Sequence, residues 1–571
     1  MATDITTIWD RYERSKTYMA QKSILRKTEK NWLMYIGEQW QACENSEGKE
    51  DLPMLNFIKP TVKYKTSSIA STKVTAIFSD LNNAENEVQM KDNDGRPMYD
   101  AAGQPIMDRP VVSRCNDLFS ISWEKSKMQK FSKRGLRNAA VAGDSYAYWG
   151  EGGDTRKSPQ ILHNTQMHLG DENTTDFQRQ PWIIIEERLD AKAVREIAKN
   201  NGIPAEDIEM IRPDSATENE ILNKDEVKGK VTSLIYMEKD KKTGIVSVAK
   251  CVKNVMYEKL HAIQPKRAAT GEPAGAGLKL YPIVPLIWEE QPNNARGVSE
   301  VEMLIPNQLE LNKTLARRII SSKMTGYPRL AYDDTAIANP EALDKVGAAI
   351  KMNGGDARAI GNMIAYLAPQ AISGDAKELC DELLNLSRTL AGASDAQLGN
   401  IDLSRVSGTA AQTIRDQQQL PLNEQQEMFQ DFIENVALLW FELWKVYYPE
   451  GVEMDGIKVR PEEIAAITPN VRVDIAEDTS LSKMAMQSEL TNLFNNNKIT
   501  FAEFAEAYPE HSSLPKDVLQ KIASTRLQMQ QQGIPLINDD GTPINDMLGG
   551  GVKPGGLSGG SYQGLQASLA R

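Results

Sequence analysis

The sequence predicts an α+β fold that is mainly helical. Long segments repeat apolar residues at intervals of three and four, which is the period of an amphipathic helix. Segments between Trp182 and about Val255 are instead rich in β-branched residues, which is typical of strands. The chain has 571 residues, of which 40% are hydrophobic and 25% charged. This composition suits a globular protein of about three or four structural units.

Charge and composition exclude several classes of protein. The 66 basic and 78 acidic residues give a net charge of −12, so any contact with DNA must come from local patches. The N-terminus mixes charges of both signs, and the longest apolar run, Val436 to Trp444, is interrupted by Glu442. We therefore expect neither a secretory signal nor a membrane segment. The 4 cysteines are far apart without a CxxC pair and predict unpaired thiols in a reducing cytoplasm.

The N-terminal region predicts helices followed by a strand. The first 40 residues indicate one or two amphipathic helices, with apolar residues at roughly helical spacing. These residues are Ile5, Ile8, Trp9, Tyr12, Ile24, Leu25, Trp32, Tyr35 and Ile36. The next segment, from Asn56, is rich in Ser and Thr. It predicts a helix, interrupted by Pro60, that passes into a strand near Val74 to Phe78.

Three short related units predict turns or hairpin tips. They are GRPMYD from Gly95, GQPIMD from Gly103 and GTPIND from Gly541, each with Pro close behind Gly. The segment DNDG at Asp92 has part of a calcium-loop pattern, but Ala101 stands where the bidentate Glu belongs. We therefore favour a turn there over a metal site.

Val111 to Ala142 predicts one long helix that carries the densest basic patch of the chain. The patch consists of Lys125, Lys127, Lys130, Lys133, Arg134 and Arg137. Only one acidic residue, Glu124, lies near these cations. Two interpretations are equally favoured: a solvated helix face, or a surface that contacts phosphates or an acidic partner.

The middle of the chain predicts antiparallel strands. WIIIEERL, VTSLIYME and IVSVAKCV read as strands, and the charged turn KDKKTG, which ends at Gly244, joins the last two as a hairpin. Residues 190–228, which lie between WIIIEERL and VTSLIYME, are acidic and are predicted to be helical. The segment YPIVPLIWEEQPNNARG has prolines at 282, 285 and 292 and predicts an extended connector, because proline blocks a helix and a central strand.

Ser299 to Gly326 predicts a basic amphipathic helix. Its apolar face is the row Leu304, Gln308, Leu311, Leu315 and Ile319. Its cations are Lys313, Arg317, Arg318 and Lys323. Glu310 is the only acidic residue close to them in the sequence.

The remaining elements alternate short strands, helices and loops. A long helix over Thr409 to Tyr448 should kink or restart at Pro421, which lacks the N–H of a helical bond. Its second half has a nearly heptad-like apolar row: Phe429, Phe432, Ile433, Val436, Leu439, Trp440, Leu443 and Val446. The other predictions, in chain order, are short strands and turns over 327–372, a helix over 374–390, a polar loop over 391–408, acidic strands over 456–478, helices over 480–532 and a mobile Gly-rich tail.

No catalytic motif is found. The sequence lacks a phosphate loop, HExxH and a GxGxxG after a strand, and GLSGG in the tail has no strand-to-helix scaffold. His163 and His168, five apart, predict solvated loop histidines rather than a metal pair. The neighbours Glu186 and Glu187 should point to opposite faces of a strand and form no acid–base pair, and the same holds for Glu289 and Glu290. We expect no catalytic residue, metal or cofactor, and a structural or mechanical role.

The order of these parts resembles the portal proteins of tailed bacteriophages. The resemblance covers about residues 55–530. It depends on element order, on the G-x-S-E region at Gly297 to Glu300 with Asn312 twelve residues on, and on the SG-T-A start of the long helix at Ser407. It implies a portal-type fold with wing, stem, clip and crown that assembles into a ring, normally a dodecamer, with a central channel. The ring would lie at one capsid vertex.

The resemblance implies a role for each part of the chain. In order, residues 1–54 are N-terminal amphipathic helices, 55–298 the wing, 299–326 the first stem helix, 327–372 the clip, 373–390 the second stem helix, 391–408 the tunnel loop, 409–448 the long kinked helix returning to the wing, 449–479 wing strands, 480–532 the crown and 533–571 a flexible tail. The implied partners are the terminase large subunit, a head-completion or adaptor protein, the major capsid or scaffolding protein, and double-stranded DNA in the channel. The implied location is the virion, after assembly in the host cytoplasm.

An acidic wall with a few cations suits DNA that must slide. Each neutralised phosphate adds salt-dependent affinity and hence drag, so sparse rings of Lys313, Arg317, Arg318 and Lys323 would guide the duplex without holding it. These four residues are equally well explained as solvating a helix or pairing with acids of a neighbouring subunit. In the tunnel loop, polar contacts would come from Gln397, Asn400, Ser404 and Arg405.

Two other classes remain as alternatives. One is a different oligomeric phage structural protein of the neck or tail, in which 391–408 would be an ordinary surface loop. The other is an enzyme such as a nuclease or hydrolase, which the missing motifs disfavour.

Overall fold

The structure is a computed structural model. It describes residues 4–40, 54–70, 73–80, 88–89, 107–108, 110–214, 229–265, 276–326, 329–353 except 336, 344 and 346, 364–367, 375–390, 422–448, 451–460, 463–464, 467, 469–476, 480–496, 498–508 and 516–531. The tunnel-loop residues Gln397, Asn400, Ser404 and Arg405, the Gly-rich tail and the Gly-Pro units, apart from Met107 and Asp108 at the end of GQPIMD, lie outside these residues.

Helices provide most of the described secondary structure. They are α1 Ile5–Gln21, α2 Ile24–Ile36, α3 Ile58–Ala70, α4 Val111–Lys125, α5 Met128–Ala142, α6 Ala191–Asn200, α7 Ala205–Glu209, α8 Glu300–Gly326, α9 Asp375–Leu390, α10 Asn423–Tyr447, α11 Ser480–Asn495, α12 Phe501–Ala507 and α13 Lys516–Gln531.

Strands form several small antiparallel sheets and one larger sheet. They are β1 Lys73–Asp80, β2 Val88–Gln89, β3 Met107–Asp108, β4 Asp144–Tyr148, β5 Gln160–His163, β6 Met167–Leu169, β7 Trp182–Asp190, β8 Lys230–Lys239, β9 Val246–Val252, β10 Val255–Ala262, β11 Ile283–Ile287, β12 Arg329–Tyr332, β13 Ile364–Leu367, β14 Val452–Met454, β15 Ile457–Val459 and β16 Pro469–Ala476. The larger sheet has the order β10-β9-β8-β7-β6, and a three-stranded sheet has the order β11-β4-β5. The predicted α+β class is confirmed.

The chain divides into two compact units. The first comprises Met1–Ala70 and Val74–Ile475, and the second comprises Ser71–Lys73 and Ala476–Arg571. The second unit contains α11, α12 and α13, where the sequence predicts helices over 480–532. Its small core includes Ala505, Tyr508 and Leu519.

The core of the first unit is built around α10. All eight members of its predicted apolar row are buried, and the indole of Trp440 lies 5.2 Å from the ring of Phe119 on α4. Trp149 meets the same indole edge-on at 6.3 Å. Fully burying side chains of this size stabilises a fold by about 1.5–3 kcal/mol each, so this helix is a major anchor of the unit. The stretch 409–421 lies outside the described residues, so a kink at Pro421 stays a prediction.

The N-terminal helices are integral parts of the first unit. The α1 helix covers one face of the large sheet, where Ile8 and Tyr12 pack with Ile184 and Tyr236. The hydroxyl of Tyr12 donates to Glu186 Oε2 at 3.0 Å. Two amphipathic helices are therefore present, as the spacing predicts, and one of them completes the sheet's buried layer.

The predicted helix over Val111 to Ala142 is wrong as a single element. It breaks between α4 and α5 at Ser126 and Lys127, and Lys127 has the left-handed φ of 55°. Ser126 is fully buried and its carbonyl accepts a hydrogen bond from the Ser158 hydroxyl. This tertiary contact holds a tight turn that local helix propensity does not encode.

The predicted connector around residues 281–297 is wrong in part, because residues 283–287 form β11. Pro285 lies opposite Tyr146 of β4, and among the described strands β11 pairs with β4 alone, at the edge of its sheet. An edge strand tolerates proline because the missing N–H need not pair on the outer side.

The predicted strands between 182 and 255 are confirmed as β7, β8 and β9. Gly244 ends the hairpin turn with φ +71°, a conformation that glycine adopts without strain. The described part of 190–228, residues 190–214, contains the helices α6 and α7. Residues 329–367 contain the pair β12 and β13, and α9 matches the helix predicted over 374–390.

Candidate nucleic-acid interface

The second half of α8 carries the four predicted cations at the surface. Lys313, Arg317 and Lys323 are exposed and Arg318 is half-buried. Since each residue turns the helix by about 100°, Lys313 and Arg317 share one face, whereas Arg318 and Lys323 lie on other sides. The structure therefore does not bring the four cations onto a single face.

An acidic residue reduces the charge of the shared face. Arg317 Nη1 lies 3.4 Å from Glu310 Oε1, one heptad earlier. Both groups are exposed, so the pair is weak and leaves the arginine accessible. The face offers two cations and one anion to a polyanion.

One face of the first half of α8 is buried, whereas the end of the helix, from Ile319 to Lys323, is mostly exposed. Leu304, Gln308 and Leu311 of the predicted row are fully buried, but Ile319 is exposed. Gln308 Nε2 donates to the carbonyl of Leu55 at 2.6 Å, and its Oε1 accepts from the Phe57 N–H at 3.0 Å. The row therefore serves as a core face only along the first half of the helix.

The G-x-S-E region fastens the start of α8 to the core. Ser299 Oγ donates to the carbonyl of Val141 at 2.6 Å and accepts from the N–H of Val301. Glu300 is buried and pairs with Lys65 Nζ of α3 at 2.8 Å. Removing one partner of such a buried pair costs about 3–5 kcal/mol, so these residues position the helix rather than contact a ligand.

Gly297 of the same region lies against Gly143 at the end of α5. A Cβ on Gly297 would lie 2.3 Å from the carbonyl oxygen of Gly143, and a Cβ on Gly143 would lie 2.4 Å from that of Gly297. Gly143 also has φ +101°. Only glycine at both positions permits this close approach of the two chain segments.

Arg296, which the sequence did not single out, anchors this region further. It is 5% exposed, and its guanidinium binds both carboxylate oxygens of Glu172, at 2.8 and 3.0 Å. It also donates to the carbonyls of Asn164 and Met167. Burial raises the pKa of the nearby Asp144 to about 6, against the opposing effect of Arg296. The arginine thus connects the start of α8 to β4 and β6.

The second cationic group occupies the end of α4 and one face of α5. Within α5, Lys130, Lys133, Arg134 and Arg137 follow the i, i+3, i+4, i+7 spacing of one helix face, and all are exposed. Lys125 and Lys127 are exposed as well, and Lys125 Nζ pairs with Asp455 at 2.6 Å. This exposed basic face is able to contact phosphates or an acidic protein surface.

The prediction of two solvated loop histidines is wrong. His163 ends β5 and is half-buried, whereas His168 lies on β6 and is fully buried. His168 Nδ1 lies 3.1 Å from Ser15 Oγ and its Nε2 lies 3.4 Å from Glu186 Oε2. The sheet pairing and the α1 helix bury this ring, and neither is visible from residue spacing.

The neighbours Glu186 and Glu187 do have different environments. Glu186 is buried beside Tyr12, while Glu187 accepts a hydrogen bond from Gln160.

Cys115, Cys251 and Cys380 are buried free thiols, which confirms the prediction of unpaired cysteines for these three positions. Among the helices that the structure describes, none has the length and hydropathy to span a bilayer.

Comparison with known proteins finds no matching protein family and no matching curated protein sequence. One similar solved chain belongs to a structure described as the virion of a native gene transfer agent (GTA) particle. It is 10% identical, with a TM-score of 0.32 over 77% of this chain and 85% of that chain.

Proposed function

We propose that the chain is a portal protein of a tailed bacteriophage. In this role it forms a homo-oligomeric ring, normally a dodecamer, at one vertex of the capsid. The terminase large subunit packages double-stranded DNA through the ring, and the genome leaves by the same route. The observation that carries the proposal is α8, a 27-residue helix that is fastened in the core at its start and exposes cations along its second half.

The charge of α8 suits a channel through which DNA slides. Tight binding would require many phosphate contacts, and each contact adds affinity that must be broken at every step. Lys313 and Arg317 present two positive charges on one face, and Glu310 weakens that field. Repeated around a ring of chains that each carry −12, these cations would guide the duplex without holding it. Arg318 and Lys323, on other sides of the helix, are assigned to contacts between subunits.

Exposed apolar side chains on α8 and α9 support assembly. Ile319 and Ile320 of α8 and Leu379 and Leu386 of α9 are exposed in the single chain, at 39 to 52%. The two helices also pack against each other. Exposed apolar groups on packed neighbouring helices are typical of a surface that is buried by another subunit. We assign this surface to contacts between subunits of the ring.

The remaining partners follow from the same proposal. The clip, residues 327–372, would face the terminase and later a head-completion or adaptor protein. The basic face of α5 would contact an acidic surface of the major capsid or scaffolding protein, or the genome. The protein would belong to the virion after assembly in the host cytoplasm. It would need no catalytic residue or cofactor, because the terminase supplies the energy.

Negative-stain microscopy of the purified full chain tests the proposal. We expect closed rings with a central channel. A monomer that stays stable at high concentration under several salt conditions would refute the ring and with it the portal role.

A second experiment separates a portal from another oligomeric neck or tail protein. Deleting residues 391–408 should abolish or impair DNA packaging if this segment is a tunnel loop, with rings still formed. Normal packaging by the deleted protein would favour the neck or tail alternative.

A further inference from the structure

A cluster of four ionisable side chains lies at the edge of the large sheet, away from α8. Lys250 Nζ on β9 lies 2.6 Å from Glu151 Oε1 and 2.9 Å from Glu258 Oε2. His261 Nε2 on β10 lies 3.3 Å from Glu151 Oε2 and 3.6 Å from Glu258 Oε1. Each carboxylate therefore directs one oxygen to the lysine and the other to the histidine.

The backbone of β10 is irregular where it presents these side chains. Glu258 and His261 are three residues apart, a separation that places side chains on opposite faces of a regular strand. Register shifts interrupt the pairing on both sides of Glu258, which faces Lys250, while His261 faces Val248. Since Lys250 and Val248 are two apart on β9, the bulges bring Glu258 and His261 to the same face. Bulges commonly re-aim side chains in this way at functional positions.

The histidine ring is held so that Nε2 points into the cluster. Its Nδ1 lies 3.0 Å from the carbonyl oxygen of Lys259. Because a carbonyl only accepts, Nδ1 carries the hydrogen, and in the neutral ring the lone pair is on Nε2. A metal-binding histidine is usually oriented by this same contact from its other nitrogen to a backbone carbonyl.

The separations between the potential ligand atoms suit a small tetrahedral cation. Zinc bonds to histidine nitrogen and carboxylate oxygen are about 2.0–2.2 Å long, so ligand atoms in a tetrahedron are about 3.3–3.6 Å apart. The two distances from His261 Nε2 to the carboxylate oxygens fall in this interval, and all three ligand atoms lie within 4.8 Å of one another. Magnesium and calcium are less suitable, because they prefer more ligands and oxygen only.

We propose that Glu151 Oε2, Glu258 Oε1 and His261 Nε2 bind a zinc-class divalent cation, with water as the fourth ligand. Lys250 lies outside the ligands and holds both carboxylates through their other oxygens. The ion would connect the edge strand β10 to the loop after β4, and that loop contacts α10 where the Tyr447 hydroxyl donates to the carbonyl of Glu151. The site is independent of the proposed portal role.

The test uses tag-free full-length protein that has been freed of metal with EDTA. Zinc titration by calorimetry and cobalt titration by visible absorption should show one site with the spectrum of tetrahedral cobalt. His261→Ala should weaken zinc at this site on the order of 100-fold or more, since even residues behind the ligands contribute 10–100-fold. The matched control is Glu206→Gln, an exposed acid on α7, which should leave both titrations unchanged. Equal zinc affinity of the wild-type and His261→Ala proteins would overturn the proposal.

A second variant separates a metal site from an ordinary ion-pair cluster. Lys250→Met removes the internal cation and leaves two carboxylates close together, which lowers the melting temperature without metal. Zinc should raise the melting temperature of this variant by more than it raises that of the wild type, because the ion replaces the lost charge. Circular dichroism checks that the variant is folded. If zinc has no effect on its melting temperature, the cluster is an ion-pair network and the proposal is wrong.

Discussion

Replacing Arg296 by methionine tests how the base of α8 is held. Methionine keeps most of the apolar stem and removes the charge. Glu172 then loses its bidentate partner, and the carbonyls of Asn164 and Met167 each lose a donor. Removing one member of a buried ion pair costs about 3–5 kcal/mol, and each unmade hydrogen bond adds about 1 kcal/mol. We expect the free energy of unfolding to fall by about 5–7 kcal/mol.

Urea denaturation followed by tryptophan fluorescence measures this loss as the shift of the midpoint multiplied by the m-value. The control is Arg317→Met, at a side chain that is 67% exposed, and its effect should stay within about 0.5 kcal/mol. Adding Glu172→Gln to Arg296→Met should recover roughly 2 kcal/mol, because the uncompensated charge is removed. A loss below about 1 kcal/mol for Arg296→Met, or no coupling between the two substitutions, would refute the reasoning.

Three further predictions concern other positions. Gly143→Ala should cost on the order of 2–4 kcal/mol in thermal or urea unfolding, more than Gly202→Ala, because both have positive φ but only the first Cβ would meet a backbone carbonyl at 2.4 Å. Asp144 has a folded pKa of about 6 against an ordinary 3.8, so the folded state binds the extra proton. Relative to Asp144→Asn, the wild type should gain about 2.5 kcal/mol of stability as pH falls from 7 to 4, and an unchanged difference would contradict the raised pKa. If the portal proposal holds, Arg317→Glu should spare ring assembly and reduce packaging or genome retention, whereas Arg318→Glu should reduce assembly; the opposite pattern in microscopy and packaging assays would reverse the two assignments.

Local sequence determined the type of most described elements. The β-branched segments became β7, β8 and β9, and the apolar row of α10 became the core of the first unit, because each side chain's face follows from the period of its own element. The same reasoning explains the basic face of α5, whose four cations have the spacing of one helix side. For the candidate interface, spacing predicted that the α8 cations lie on a helix, and the helix of the structure then separates Arg318 and Lys323 from the face that Lys313 and Arg317 share.

Tertiary structure decided the features that depend on distant partners. Pro285 lies in a strand because β11 is at the edge of its sheet in the described part of the chain. The helix breaks at Lys127, where Ser126 is buried and bonded to Ser158. His168 is buried because α1 and the large sheet enclose it. The bulges of β10 place Glu258 and His261 on one face, although their spacing predicts opposite faces. The local spacing of residues determines how each side chain is oriented within its own helix or strand. The burial of that side chain, the position of a strand at a sheet edge and the pairing register are determined by contacts between residues far apart in the chain.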